Sequence, residues 1–269
     1  MNGFKFCVLG SGSSGNASVL RSGNNWVMID CGFSIKQTKE RLKRAGLVLA
    51  DIQDILLTHV DRDHFNPVWC RTIQTHGMKA HMHRLHVPRA MSLGLHAENI
   101  VAFDGVFQLH GSTVEPIHVA HDELGTFSFV FDSGEERFGF ATDLGHVPEH
   151  LLRSFSNLDI VAFESNYDPF MQETSGRPQF LKERIVGGGG HLSNAQSLCA
   201  IQTIASQSSL SHIILLHLSQ QCNAPRHIYD LYEEHAAALK PFVTISHQDH
   251  PTPMLRAGES ANMVQEVLF

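Results

Sequence analysis

The loop that follows a short apolar segment, Ile55-Leu56-Leu57, places the strongest limit on how this chain can fold. Four side chains that can bind metal occur close together in that loop, at His59, Asp61, Asp63 and His64. A loop can turn neighbouring side chains toward one point, whereas a regular strand or helix would distribute them over different faces. Imidazole and carboxylate ligands together suit zinc, iron or manganese. The sequence therefore predicts a metal site at the end of a buried strand.

Length and composition indicate a globular protein. A chain of 269 residues can form one large α/β domain or two small ones, and 42% hydrophobic with 17% charged residues excludes disorder over the whole length. The formal net charge of −7 gives no overall attraction to nucleic acid or to an anionic membrane. Basic residues cluster in one predicted helix, at Lys36, Lys39, Arg41, Lys43 and Arg44. That helix is a candidate track for phosphates, although a solvated helix face would have the same composition.

Cysteine usage and the first residues predict a compartment. The 5 cysteines are odd in number and none forms a C-x-x-C pair, so neither a disulfide framework nor a thiolate zinc site is indicated. The apolar run within residues 1–15 is too short for a signal peptide or a membrane-spanning helix. We therefore expect a cytoplasmic protein with reduced thiols and no membrane partner.

Hydrophobic periodicity predicts that strands dominate the first 165 residues and that helices return later. Strands are expected near residues 4–9, 17–20, 26–29, 54–58, 101–131, 138–142, 160–163 and 213–216. Helices are expected over 34–45, begun by a capping box, and near 67–77, 195–206 and 226–239. Two sheets with helices on their outer faces satisfy this order, so the fold class is α/β. We expect one domain over 1–250 and a loosely ordered C-terminal tail over 251–269.

A glycine pattern near the start matches a nucleotide-binding motif without its structural context. Gly10-x-Gly12-x-x-Gly15 follows a predicted strand, as the dinucleotide fingerprint does. The fingerprint requires a helix immediately afterwards, whose N-terminus holds the pyrophosphate. Here a hairpin turn at Ser22–Asn25 follows instead, and Asp30 comes too early to bind a ribose. We therefore interpret the glycines as a tight turn that other loops can approach closely.

The metal loop and several distant motifs together resemble a known family. His59-x-Asp61-x-Asp63-His64 is similar to the H-x-H-x-D-H signature of metallo-β-lactamase-fold hydrolases. Companion residues of that family are matched, in order, by Asp30, His121, Asp143 and His217. Further motifs resemble the YycJ/WalJ subfamily: ESNYD at 164–168, LKxRI at 181–185, GHLSN at 190–194 and HLS at 217–219, with Asn223 and Pro225 after them. The resemblance runs from about residue 4 to 247 and implies a four-layer αββα sandwich.

The resemblance also implies a centre of two divalent ions, zinc, manganese or iron. It assigns one ion to His59, Asp61 and His121, the other to Asp63, His64 and His217, and the bridging position to Asp143. His118, three residues before His121, is the competing candidate for the third motif. We favour His121 because the apolar run 127–131 lies where the family's next strand would be.

One ligand position departs from the family pattern. Asp61 stands where the signature has its second histidine. A carboxylate adds one negative charge and a harder oxygen donor, which favours manganese or iron over zinc. The same change also leaves open that the first metal position is impaired.

The resemblance further implies hydrolysis. Two ions roughly 3.5–4 Å apart can hold a water between them and lower its pKa toward neutrality, so that the bridging hydroxide attacks a phosphorus or carbonyl centre. His191 lies between the glycine run 187–190 and a predicted helix cap, where an anionic group is favoured. A histidine in a similar place contacts the scissile phosphate in phosphodiesterases of this fold. We therefore assign phosphate contact or proton donation to His191 and count it, with Asp63, as catalytic.

Four further residues complete the predicted site. Ser219 and Asn223 are candidate substrate contacts, with hydrogen bonding inside the loop as an equal alternative. Glu164 and Asn166, at a strand end, are expected to support the ligands.

Three functions are compatible with these residues. The favoured one is a phosphodiesterase that acts on nucleic acid, with a DNA exonuclease as its specific form. The second is a hydrolase of a small ester, thioester, lactone or cyclic phosphodiester, because a fold does not fix a function. The third is a non-catalytic binding module in which Asp61 has impaired the metal site.

Overall fold

Residues 3–259, which the computed structural model describes, form two seven-stranded mixed sheets. The first sheet has the order β14-β1-β2-β3-β4-β5-β6, with β1 Lys5–Gly10, β2 Ala17–Ser22, β3 Asn25–Ile29, β4 Ile52–Leu56, β5 Lys79–His83, β6 Ile100–Phe103 and β14 Leu255–Arg256. The second has the order β13-β12-β11-β10-β9-β8-β7, with β7 Phe107–Leu109, β8 Ser112–Val119, β9 Thr126–Asp132, β10 Arg137–Ala141, β11 Ile160–Glu164, β12 His212–Leu216 and β13 Val243–Ile245.

Eight α-helices connect the strands in the described residues. They are α1 Ile35–Arg44, α2 Trp69–His76, α3 Val87–Ser92, α4 Glu149–Ser154, α5 Pro169–Thr174, α6 Gln179–Val186, α7 Asn194–Ser206 and α8 Pro225–His235. The predicted capping box of α1 is present, since the Ser34 hydroxyl accepts from the Gln37 amide and the Gln37 side chain accepts from the Ser34 amide. None of the helices in this part of the chain is long and apolar enough to cross a membrane.

Successive side chains along each strand point to opposite faces of the sheet, so the apolar residues form three cores. These cores separate four layers, two of sheet and two of helices. In β1, Phe6 faces the second sheet, where its ring lies 4.7 Å from that of Phe138. Cys7, the next residue, points the other way and packs with Leu42 of α1. On the far side of the second sheet, Phe163 packs with helices α7 and α8. The predicted αββα sandwich is therefore confirmed.

The parallel strands decide where a site can form. Strands β3 to β6 run parallel in the first sheet, and β10 to β13 run parallel in the second. The carboxyl ends of parallel strands lie at one edge of a sheet, and loops at that edge form the crevice where ligands bind in α/β proteins.

One expectation needs correction. The last helix ends at His235 instead of residue 239, because Ala236 leaves the helical conformation (φ −155°, ψ 44°) and a short 3-10 turn leads into β13. The first residues of the predicted tail contact the first sheet: Thr252 bonds to the backbone of Val8, and Leu255 and Arg256 pair with β1. Since β1 would otherwise be an edge strand, this pairing covers its free backbone groups. Residues 260–269 lie outside the described part of the chain.

Candidate metal centre

Side chains from both sheets meet at the carboxyl ends of the parallel strands. The first sheet supplies Asp30 after β3 and the loop His59–His64 after β4. The second supplies Asp143 after β10, Glu164 at the end of β11 and His217 after β12. His121, after β8, completes the set. The predicted ligands, which are spread over more than half of the sequence, therefore converge in one place.

A left-handed backbone turns three of these residues toward the centre. Asp30, Asp143 and His217 have φ values of 61°, 54° and 56°. Such values are uncommon for residues other than glycine, although Asp and His adopt them more readily than most. Strained backbone of this kind is concentrated at functional sites, where the surrounding structure maintains it.

The donor atoms form overlapping groups with metal-binding spacing. One group is His59, Asp61 and His121, and a second is Asp63, His64 and His217; within each, the donor atoms lie within 4.8 Å of one another. Asp143 joins His59 and His64 in a further group. The structure thus brings together the residues of both ligand sets and Asp143, for which the family resemblance implied the bridging position. His118 lies outside the cluster, with its ring bonded to the Leu124 carbonyl.

One buried atom shows that the donor set suits a cation. His217 Nε2 is buried and has no hydrogen-bond partner among the described residues. It lies 3.5 Å from Asp63 Oδ2 and 3.4 Å from Asp143 Oδ1. A buried polar atom without a partner is costly, and a divalent ion between these three donors would satisfy all of them. The residues present therefore fit a metal.

The other ring nitrogen of each histidine is held by the surrounding protein. The Nδ1 contacts are Thr58 and Thr126 for His59, Asp30 for His64, the Gly190 carbonyl for His121 and Asn166 for His217. The oxygen partners of His59, His64 and His121 can accept the Nδ1 proton, which leaves Nε2 of those rings for the ion. The Asn166 amide nitrogen instead donates to Nδ1 of His217 and fixes the orientation of that ring. Asn166 thus contacts a proposed ligand, as the sequence predicted, and Asp30 supports His64 in the same way.

Opposed electrostatic effects set the protonation of the centre. Burial acts to lower the pKa of His64, but the carboxylates of Asp143 and Asp30 raise it well above its ordinary value. Burial, reinforced by His64, lowers the pKa of His59, which is therefore neutral. Burial acts to raise the pKa of Asp143, but His217 and His64 hold it well below its usual range. Because imidazoles must be deprotonated to bind a cation, metal uptake at this centre should be pH-dependent.

His191 and Glu164 form an ion pair beside the donors. His191 Nδ1 lies 2.7 Å from Glu164 Oε1 and 3.5 Å from Asp143 Oδ1. Burial acts against a charged His191, but Glu164 and then Asp143 raise its pKa to about 9. Glu164 is itself fully buried and accepts from the Leu144 amide, so it is fixed in place. This arrangement leaves Nε2 of a protonated imidazole for the cleft.

The donors open into a cleft of about 420 Å³. Its walls include His191, Ser219, Arg184 of the LKxRI motif, and Arg177, which sequence reasoning did not single out. Asn223 does not line it. Its amide donates to the carbonyls of residues 165 and 166, and its oxygen accepts from the Ala224 amide. Of the two roles that the sequence left open for Asn223, these contacts support hydrogen bonding between loops.

The glycine loop after β1 supports the centre. The Ser11 hydroxyl accepts from the amide of His217, at 2.8 Å. Asn16 accepts from the Gly12 amide, donates to the Gly12 carbonyl and lies 2.9 Å from His64 Nε2. The loop is thus a tight turn approached by other loops, as predicted. Ser11 and Asn16 gave no sequence signal of their own role, since neither belongs to the metal motifs.

The fold and the donor set together define a class. The family model of the β-lactamase superfamily domain matches residues 25–217, and the chain belongs to that superfamily. It is a metallo-β-lactamase-fold hydrolase, as the sequence predicted, and both the fold and the donor set imply divalent metal binding.

Two individual relatives show which subfamily the chain is similar to. The chain is 26% identical over 233 residues to exodeoxyribonuclease YycJ of Bacillus anthracis, covering 82% of this chain and 84% of the relative. It is 28% identical over 230 residues to exodeoxyribonuclease WalJ of Streptococcus pneumoniae, with the same coverage. The predicted YycJ/WalJ likeness is confirmed. Among crystal structures, the metallo-β-lactamase-fold protein YhfI from Bacillus subtilis superposes with a TM-score of 0.68 at 14% identity, covering 93% of this chain and 99% of that one.

Proposed function

We propose that this chain is a two-metal phosphodiesterase that acts on nucleic acid, and specifically a DNA exonuclease. The observation that carries the proposal is that the two donor groups, one containing His59 and the other His217, lie beside Asp143, whose carboxylate is within 4.8 Å of donor atoms of both histidines. The relatives named as exodeoxyribonucleases supply the substrate class.

The spacing of the donor atoms suggests how the proposed ligands are divided between two ions. One ion would be held by His59, Asp61 and His121, the other by Asp63, His64 and His217, with Asp143 between them. When bound, such ions activate water and neutralise charge that develops on phosphate oxygens. We infer that Asp61 tilts the first position toward manganese or iron, because it replaces an imidazole by a harder oxygen donor.

Residues of the chain itself would assist departure of the leaving group. His191, held by Glu164 at 2.7 Å, places a proton at Nε2 facing the cleft. We assign it to donate that proton to the departing oxygen of the phosphodiester, or to bond the phosphate while the bond breaks. Ser219 lines the same cleft and remains a proposed substrate contact, acting together with the Arg177 side chain that it binds.

We also infer that the protein works in a reducing compartment, as the cytoplasm provides. All 5 cysteines of the chain lie in the described part and are free thiols. Disulfides are rare where thiols are kept reduced.

A side-by-side assay tests the function. Purified protein loaded with manganese is incubated with end-labelled single-stranded and duplex DNA, with bis(p-nitrophenyl) phosphate and with a thioester. We expect release of mononucleotides from DNA ends, and loss of that activity in Asp143→Asn, which removes the carboxylate shared by the donor groups. Asp249→Asn is the matched control, because that carboxylate is exposed.

Two outcomes would reject the proposal. Turnover of the thioester without DNA cleavage would favour a small-substrate hydrolase. Purified protein that retains no metal, even after reconstitution with manganese, would favour a binding module.

A further inference from the structure

Helices α5 and α6 and the turn between them, residues 169–186, lie beside the cleft, and we call this segment the strand arm. One face of α6 forms part of the cleft wall through Leu181, Arg184 and Ile185. Arg177, in the turn before α6, lines the cleft as well. The arm therefore extends the metal centre outward along one side.

Arg177 is built into this wall. Its guanidinium donates to Gln221 Oε1 at 3.1 Å, to Gln172 Oε1 at 3.1 Å and to the Ser219 hydroxyl at 3.0 Å. All three acceptors are neutral, and no carboxylate within residues 3–259 lies within 4.0 Å of it. A guanidinium has five N–H donors, so two remain for a ligand. Arg177 thus presents a fixed, uncompensated positive charge to the cleft.

Two other arginines near the cleft are paired with carboxylates, unlike Arg177. Arg184 forms a two-pronged pair with the Asp122 carboxylate. Arg89 lies 3.4 Å from an oxygen of Asp61. Both charges are compensated by carboxylates at the cleft, whereas Arg177 remains open to an anion. A planar guanidinium with spare donors suits a phosphate.

The same arm carries an exposed aromatic ring. Phe180 is 72% exposed and lies one turn before Arg184 on α6, so the two side chains are neighbours on the helix surface. Because the Arg184 side chain lines the cleft, this exposed ring lies next to the cleft wall on the helix. Aromatic rings beside cationic grooves stack the bases of single-stranded nucleic acids, whatever the base.

We propose that the strand arm binds a single-stranded end of the DNA substrate, with Arg177 on a phosphate adjacent to the cleaved one and Phe180 stacked on a base. The inference rests on the proposed nuclease function, since it names how that substrate is held. It requires the bases to be unstacked, so a duplex would contact Arg177 alone.

Equilibrium binding tests this without hydrolysis. The metal-loaded protein is titrated into fluorescein-labelled phosphorothioate oligonucleotides, which resist cleavage, as single strands and as duplexes, each with and without a 5′-phosphate. Arg177→Gln should weaken binding of both forms about tenfold or more, as for a charge-assisted hydrogen bond, and should reduce the salt slope by about one. Phe180→Ala should weaken only the single strand, roughly fivefold or more. The 5′-phosphate arms show whether Arg177 takes a terminal or an internal phosphate.

Matched controls make the result decisive. Arg153→Gln removes one exposed positive charge from α4, away from the cleft. Phe170→Ala removes a ring that is also 72% exposed but is two residues from Gln172 on α5, so it faces away from Arg177. Arg177→Lys should recover part of the affinity, and each variant should remain folded at the temperature of the binding assay, as its melting curve will show. Failure of the wild type to bind, or equal effects of each variant and its control, overturns the inference. Absence of nuclease activity would reject the proposed function without changing this readout.

Discussion

At the scale of the residue, Asp61 separates this centre from the family signature. It lies 4.0 Å from His59 Nε2 on one side and 3.4 Å from Arg89 on the other. The arginine offsets the negative charge that the carboxylate adds, so the substitution is accommodated electrostatically. A metal held through Asp61 would still meet an oxygen donor where an imidazole is expected.

This difference predicts a change in metal preference. In Asp61→His, the first position regains an imidazole, and we expect the ratio of bound zinc to bound manganese to rise severalfold when apoprotein is equilibrated with both ions. The measurement is metal content by mass spectrometry. Asp104→Asn, which breaks an exposed pair with Arg84 away from the centre, is the control. An unchanged ratio in Asp61→His would show that Asp61 does not bind metal.

His191 allows a second prediction at this scale. His191→Gln removes the proton donor but leaves the proposed ligands in place, so we expect unchanged metal content and a fall in kcat of about 10²–10⁴. Metal analysis and initial rates on labelled DNA provide the comparison. His150→Gln, on an exposed face of α4, should retain full rate. Wild-type turnover in the His191 variant would remove this residue from the mechanism.

At the scale of the element, the loops around the centre are held by close backbone approach. A Cβ placed on Gly32 would lie 1.8 Å from the carbonyl oxygen of Asp63, a distance that no packing permits. The Cys31 amide also donates to the His64 carbonyl. The segment after β3 therefore fixes the loop that carries the first metal motif.

Gly32→Ala should consequently destabilise the protein by about 3 kcal/mol or more, because the added methyl group must displace the Asp63 backbone. Thermal unfolding gives the measure, and the metal content should fall with it, since the same backbone carries His64. Gly105→Ala introduces the same methyl group where nothing lies within 4 Å, and it should leave the melting temperature unchanged. Equal stability of the two variants would refute this account of the loop.

Elements with strong periodicity or a cap were predictable from the sequence. The strands around β4 and β12 are short apolar runs, and α1 has a complete capping box. The strand arm was not predicted. Its two helices have six and eight residues, and α6 exposes Phe180 and Val186, so neither presents a clear apolar face. Tertiary contacts with the cleft wall, which local sequence does not contain, stabilise them.

The residues of the candidate site also fall into two groups, those that the sequence predicts and those that it does not. The metal motifs have donor types and spacing that can be read along the chain, and the residues they name lie together in the structure. Residues such as Asn16 and Arg177 act through neighbours 48 and 42 positions away, at His64 and Ser219. Isolated polar residues of this kind carry no pattern in a single sequence, so only the folded arrangement reveals them.

At the scale of the whole molecule, one buried carboxylate joins the two sheets. Asp54 in β4 accepts from His81 in β5 at 2.6 Å and from His110, in the turn between β7 and β8, at 2.7 Å. Burial acts to raise the pKa of Asp54, but the hydrogen bonds and charges of the two histidines lower it overall. The connection lies away from the metal centre and contributes to stability alone.

The direction of that pKa shift predicts how stability depends on pH. Because the folded pKa is below the unfolded value, the contribution is complete above about pH 4 and is lost as the pH falls through the folded pKa. Asp54→Asn should therefore lower stability at neutral pH by about 1–3 kcal/mol, and its difference from the wild type should shrink in more acidic solution. Denaturant unfolding at several pH values tests this. A difference that grows toward low pH would contradict it.

The proposed ligands come from both halves of the chain. The first metal motif belongs to one sheet, and Asp143 and His217 belong to the other. Every donor group that includes His217 is incomplete until β12 has been synthesised and has paired with β11. A nascent or truncated chain that stops before this strand cannot assemble both proposed positions. A nuclease constructed in this way would stay inert on the ribosome until most of its length had emerged.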